Sequence, residues 1–415
     1  MKKSILLLIA IAVMRIAALA AETTSTNQTR VTLTNSHLPI IFLAAKEPIV
    51  SERKVPCTLK MVLPEGTGSS STGALTGIVR IHGASSVMYP KKSFGVTLDA
   101  PVRWLGMRES AHWVLNAAFV DRSLMRHKLS YDLFRSLSAP GAPRFASASR
   151  FVEVNLNGKY HGAYLLMERI DRAMLELRRY DSNAPNHAVI YKAVDHAANF
   201  DHLGHGGFEQ REPDPLLGEY WGPLDRFNRF VSRTTDAEFF DPVKGIPARL
   251  DLDNAIDFHL LVLLTSNMDG IDKNLILARD EPLTNAAVPR FFFAPWDYDA
   301  TFGRNWNALR VEPTAWLSNR LFDRLLSDAA YRKKFAARWK QLRERQFSVQ
   351  TIHRMIDENA STLGEAARRN TARWRTLNGP YPDRLAFEED LAQMKEWVVA
   401  RVKSLDEEIE RKVTQ

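Results

Sequence analysis

The chain has 415 residues, 45% hydrophobic and 25% charged. These are globular proportions, enough for two core-bearing units or one bilobal domain, and they exclude a disordered or collagen-like chain. A formal charge of +8 favours acidic partners, but the basic residues are dispersed and many fall in the C-terminal third, so no nucleic-acid groove is expected. The single cysteine, Cys57, excludes an intramolecular disulfide and a cysteine-based metal framework.

Residues 1–20 read as a secretory signal. Met1-Lys2-Lys3 is a positive start, an apolar run follows from Ser4 to Met14, and Ala18-Leu19-Ala20 sets cleavage near Ala20-Ala21. Arg15 is untypical there and leaves an uncleaved anchor as the alternative. No later segment approaches 18 continuous apolar residues, so no stable membrane span is expected and the destination is secreted or periplasmic. Residues 21–34 are Thr/Asn/Ser-rich and read as a flexible leader.

A β-rich unit over 35–168 comes next. Leu38–Leu43 and Lys54–Leu63 are predicted strands, with Cys57 a small buried hydrophobe in the second. Pro64–Gly77 is a Gly/Ser-rich loop. Gly77–Leu98 reads as two strands around Gly83-Ala84-Ser85-Ser86, with Lys91-Lys92 entering the second. A small-residue loop beside a lysine suits phosphate; a polar hairpin turn with surface lysines is the plainer alternative. Trp113–Asn116 is a short strand, and Asp121 and Ser123 stand where a helix over Leu124–Leu137 would be capped. Alternating strands around Asn157-Gly158 predict a hairpin from Phe151 to Met167, ending in Glu168.

Residues 169–415 read as mainly helical. Val189–Lys192 is a strand, and Lys192 is a lysine placed to face a cleft. His187, His196, His202 and His205 lack the helical spacing of a zinc site. Ile256–Leu264 is a predicted buried helix leading into Ser266–Gly303, where the chemistry concentrates. Asp269 and Asn274 form D-x-x-x-x-N, and two short apolar runs, Leu275–Ala278 and Arg290–Pro295, lead to Trp296-Asp297-Tyr298-Asp299. Two adjacent strands would bring these acids and the amide to one sheet edge, the set a phosphotransferase uses. The spacing alone is a weak signal. Helices are predicted over 319–326, 328–346, 349–372 and 386–412.

Six stretches in order together resemble the CotH family, spore-coat-protein-H-type kinases with an atypical kinase-like fold. They are LPII near Leu38, IHGASSVMYPKKSF, WVLNAAFVDRSLMRHKLSYDLF, FVEVNLNGKYHGAYLLMERID, NMDGIDKN and FFFAPWDYDATFG. The resemblance implies an α+β, atypical bilobal protein-kinase-like fold, with a β-rich N-terminal lobe and a mainly helical C-terminal lobe. It implies ATP with Mg²⁺ or Mn²⁺ and transfer of phosphate to Ser/Thr hydroxyls of a protein substrate. Asp269 would be the catalytic base. Asn274, Asp297 and Asp299 would hold metal, Lys92 would contact phosphate with Lys91 its nearest rival, and Glu168 would line the adenine pocket. Two departures stand out. His82-Gly83-Ala84 replaces an Arg-Gly-Asn loop, and the helix after Leu124 has no glutamate for Lys92, leaving Asp121 or Asp132 as partners. The rival readings are a catalytically lapsed surface or interaction protein and a metal-dependent phosphoester hydrolase.

Overall fold

A computed structural model describes residues 36–64, 72–184, 186–282, 289–375 and 385–414. The predicted signal and leader, and residues 65–71 of the Pro64–Gly77 loop, lie outside the described residues. The chain is α+β, β-rich first and helical second.

Strict alternation shapes the first half. In β2 (Val55–Val62) the side chains run buried, exposed, buried in turn, with Cys57 among the buried ones. β1 (Ile40–Ala44), β3 (Leu75–His82), β4 (Ser93–Arg103), β5 (Glu109–Asn116), β6 (Ser149–Leu156) and β7 (Lys159–Glu168) join it in a closed barrel of order β1-β2-β3-β4-β5-β7-β6. Closure comes from parallel pairing of β1 with β6, Ile40 opposite Glu153. Ile41, Val55, Leu59, Val79, Phe94, Trp113 and Tyr164 fill the interior. The β6–β7 hairpin turns on Asn157 (φ 50°) and Gly158 (φ 80°), the left-handed pair that a two-residue connection requires.

Helix α1 (Arg126–Arg135) is inserted between β5 and β6, but its apolar side chains leave the barrel. Leu129, Leu133 and Phe134 pack in the second core, around α3 (Leu252–Thr265). That core also takes α2 (Gly222–Arg233), α4 (Arg320–Ser327), α5 (Ala329–Arg343), α6 (Val349–Trp374) and α7 (Phe387–Thr414). The four C-terminal helices begin and end within three residues of the predicted bounds. A second sheet, β8 (Val189–Ala193), β9 (Phe208–Glu212), β10 (Leu275–Arg279) and β11 (Phe292–Pro295), has order β11-β10-β8-β9 and is antiparallel throughout.

Helix α6 fastens the helical part to the barrel. Arg369 forks onto Glu153 at 3.0 and 2.8 Å, and Trp374 Nε1 donates to the His161 carbonyl at 2.7 Å. Gly162 between them has φ 117°, and a Cβ there would stand 2.6 Å from Asn370 Oδ1. Only glycine fits that approach.

His259 lies at the centre of the helical core, fully buried, stacked on Phe322 with ring centres 4.2 Å apart, its Nε2 2.8 Å from the Leu317 carbonyl. Burial, with Lys412 adding to it, pushes its pKa down to about 4 against the pull of that hydrogen bond. Below the usual histidine range the unfolded chain binds a proton that the folded chain refuses, so stability is lost as pH falls from about 6.5 towards 4. The loss is on the order of 2–3 kcal/mol from this residue. His82 and His161, also pushed down to about 4 mainly by burial, act in the same direction. Denaturant titrations at pH 7 and pH 5 are expected to show lower stability at pH 5. The difference should shrink in His259→Gln, which keeps a donor for Leu317 but does not titrate.

Candidate active site

Helix α3 delivers the chain to the site. It ends at Ser266 in the left-handed conformation (φ 51°), which turns the backbone into Asn267. Asn267 then bridges two loops: its Oδ1 accepts from the Gly270 amide at 3.0 Å, and its Nδ2 donates to the Asp297 carbonyl at 3.2 Å. Asp269 opens a short 3-10 turn, Asp269–Ile271, and Asn274 leads into β10. Because Leu275 pairs with Pro295, the residues just outside that pair meet, and the Trp296 amide donates to the Asn274 carbonyl at 3.1 Å. The predicted adjacent strands are therefore present, with Asn274 and Asp297 at their common end. Asn274 (φ 56°), Asp297 (φ 57°) and Phe302 (φ 49°) all hold left-handed backbone without being glycine. Such strain persists only where surroundings enforce it, and it clusters at functional sites.

Asp297, Asp299 and His127 bring one ligand atom each to within 4.8 Å of one another. The Asp299 carboxyl is held well above the usual carboxylate range, first by loss of water and then by the negative charges of Asp297 and Asp121. A divalent cation between the two carboxylates would relieve that repulsion. Hard oxygen donors such as these two carboxylates suit magnesium or manganese. His127 has a different task. The Tyr298 amide donates to its Nδ1 at 3.0 Å, which leaves the proton of the neutral ring on Nε2. Burial keeps the ring neutral, against the opposing charges of Asp297 and Asp121. Its Nε2 lies 3.4 Å from Asn116 Nδ2 and 3.6 Å from Asp297 Oδ1, so the ring borders that carboxylate without a hydrogen bond to it. Tyr131, one turn further along α1, accepts from the Asp297 amide at 2.9 Å.

Asp269 lies on the other loop, with His196 Nε2 3.6 Å from Oδ1 and Lys273 Nζ 3.7 Å from Oδ2. Lys192, opposite Ile276 in the sheet, places its ammonium 4.6 Å from the centre of the Trp296 ring. Burial lowers its pKa first, Arg211 adds to this, and Asp297 opposes them. Lys92 donates to the Val87 carbonyl at 2.7 Å, within the turn after β3. Lys91 is buried, donating to the carbonyls of Ala117 and Ala163 beneath the Tyr164 ring. Glu168 accepts from the amides of Arg108 (2.9 Å) and Ala148 (3.2 Å) at the end of the barrel. The acids suggested as partners for Lys92 serve cations of their own helix: Asp121 binds Arg126, and Asp132 binds Lys128 and Arg135.

Sequence reasoning passed over His127 and Tyr131. Their spacing of four on one helix, a shared face, was the available signal.

A buried ionic cluster sets the acidic turn. Arg126 Nε donates to the Thr301 carbonyl at 2.9 Å, and its terminal nitrogens reach Asp121 Oδ1 (2.6 Å) and both oxygens of Asp390 on α7 (3.0 and 3.1 Å). Arg304 approaches the same Asp390 at 3.0 Å. Burial alone would raise the Asp390 carboxyl, but Arg126 and Arg304 hold it below the usual range.

The acidic loops thus lie at the common end of β10 and β11, with Asn274 and Asp297 held in left-handed backbone. The chain belongs to the family described as CotH kinase protein, which it matches over residues 79–405. It is also 29% identical over 257 residues to the inner spore coat protein H of Bacillus subtilis (strain 168), covering 60% of this chain. The match spans 65% of that protein's length. Among the described residues no helix is long and apolar enough to cross a membrane.

Asp390→Ala leaves Arg126 and Arg304 buried without their shared carboxylate. It is expected to cost about 3–5 kcal/mol in denaturant unfolding, against less than 1 kcal/mol for exposed Asp357→Ala.

Proposed function

We propose that the chain is an exported kinase-like phosphotransferase of bilobal build, moving a phosphoryl group from a nucleoside triphosphate, ATP in the first instance, to a Ser or Thr hydroxyl of a protein. The observation that carries this reading is the backbone hydrogen bond from the Trp296 amide to the Asn274 carbonyl, which holds the chain before Asp297 against the loop carrying Asp269 and Asn274. Mg²⁺ or Mn²⁺ supplies neutralisation of phosphate charge when bound. Asn274 and Asp297 would hold it, with Asp299 as a further ligand once its proton is displaced. His127 and Tyr131 keep Asp297 in place from α1. Asp269 takes the proton of the acceptor hydroxyl. Lys192 sets positive charge beside Asp297, while Lys92 secures the Ser85–Met88 turn that the resemblance puts near phosphate. Glu168 marks the end of the barrel, where the nucleoside base would lie. Contact between His82 and Trp296, ring centres 6.4 Å apart, brings the end of β3 to the acidic loop, as a site between two lobes requires.

Export rests on the predicted signal over residues 1–20. A second reading, a kinase fold whose chemistry has lapsed, draws on His82. Burial keeps this imidazole neutral at ordinary pH, helped by Lys192, Arg80, Arg169 and Arg211, so it brings no charge to phosphate. Incubation with γ-labelled ATP, Mg²⁺ or Mn²⁺ and a generic protein acceptor separates the two. Asp269→Ala is expected to bind Mg-ATP as the wild type does by calorimetry, yet to transfer label slower by ~100-fold or more. Equal labelling by the variant would remove Asp269 from the role.

A further inference from the structure

Both oxygens of Asp269 face a group able to carry positive charge. Lys273 is four residues away on the same loop, its amide donating to the Asp269 carbonyl at 2.7 Å, so its approach is a local consequence of the turn. His196 comes from the segment after β8, and its approach is constructed. The Val194 and Asp195 amides both donate to the Gly207 carbonyl, at 2.8 and 3.2 Å. Asp195 then caps the turn His196–Ala198 by accepting from the Ala197 amide at 3.0 Å. Underneath, the turn rests on Gly207, where a Cβ would stand 2.3 Å from the Ala198 nitrogen. The Asn274 amide donates to the Ala193 carbonyl at 3.2 Å, tying the same strand end to the acidic loop.

The result is an imidazole 58% exposed to water beside a carboxylate that is only 22% exposed. An exposed ion pair of this kind contributes little to stability. Its position between Asp269 and solvent has a chemical use. A carboxylate that accepts the hydroxyl proton must lose it before the next turnover, and an imidazole nitrogen 3.6 Å away on a ring open to water is placed to take it. Charged groups around the pair include Lys273, Asp272 and the capping Asp195, with Asp323 acting on Asp272. The Asp272 carboxyl is raised by burial, with His196 opposing and Asp269 adding to the rise.

We propose that His196 is the proton carrier of the site, receiving from Asp269 the proton taken from the acceptor hydroxyl and releasing it to water. This inference rests on the phosphotransfer reading above. As the hydroxyl oxygen bonds to the γ-phosphorus, its O–H bond breaks and the proton passes to Asp269. The P–O bond to the β-phosphate breaks with its electron pair leaving on the nucleoside diphosphate. Asp269 then donates to His196 Nε2, and the ring gives up its Nδ1 proton to solvent. The 3.6 Å separation has to shorten by less than 1 Å for that second transfer, as apo catalytic contacts commonly do.

The test compares wild-type protein with His196→Ala, using γ-labelled ATP, Mg²⁺ and a protein acceptor, with and without added imidazole. The expected result is a fall in kcat of ~10-fold or more, an unchanged KM for ATP, an unchanged melting temperature, and recovery of rate in imidazole but not in matched sodium chloride. A variant that turns over at the wild-type rate overturns the proposal. So does a slow variant that imidazole does not restore. If the wild type itself transfers no label, the phosphotransfer reading falls, and this role falls with it.

Discussion

Arg126 is buried in a place where its charge has to be answered on every side. One guanidinium holds the Thr301 carbonyl just past the acidic turn, Asp121 at the exit from the barrel, and Asp390 on the last helix. Desolvating such an ion costs several kcal/mol, so it is tolerable only while all three partners stay in place. The cluster therefore makes the barrel exit, helix α1, the acidic turn and helix α7 depend on one another. Displacing the turn carrying Asp297 and Asp299 would take from the buried guanidinium its Thr301 carbonyl partner.

That dependence explains how the site holds unfavourable features. Left-handed backbone at Asn274 and Asp297 and a carboxyl at Asp299 crowded by other acids would each relax if the loops were loose. Helix α1 is the shared support. Arg126 anchors it in the cluster, while His127, next to it, and Tyr131, one turn on, receive the amides of Tyr298 and Asp297. The strand pairing of β10 with β11 supplies the other constraint, through the contact between Trp296 and Asn274.

Local pattern made much of this legible. Alternation and short apolar runs found the barrel strands and β8, β10 and β11 but not β9, Asn157-Gly158 found the β6–β7 hairpin, and the apolar run after Ile256 found helix α3. The pairing of the two runs around Asp269 and Asp297 also followed from their lengths. Barrel closure did not, because the parallel pairing of Ile40 with Glu153 leaves no local mark in either strand. Helix α1 sits in sequence within the β-rich part yet buries its face in the helical core, a choice made by tertiary packing. His127 was passed over because its partner Tyr298 is 171 residues away, whereas histidine spacing is searched over a few residues. Between Lys92 and Lys192, strand periodicity cannot decide which ammonium meets an acid. Three-dimensional register sets Lys192 beside Trp296, while Lys92 is bonded within its own turn.

The central claim is that the strained acidic turn is a divalent-cation site that works together with a nucleotide. Mn²⁺ binding followed by electron paramagnetic resonance, with and without ATP, tests it most directly in wild type and Asp297→Asn. The account predicts one Mn²⁺ bound more tightly when ATP is present, with affinity lower by ~10-fold or more in the variant. Equal Mn²⁺ affinity in the two proteins, or binding indifferent to ATP, would contradict it.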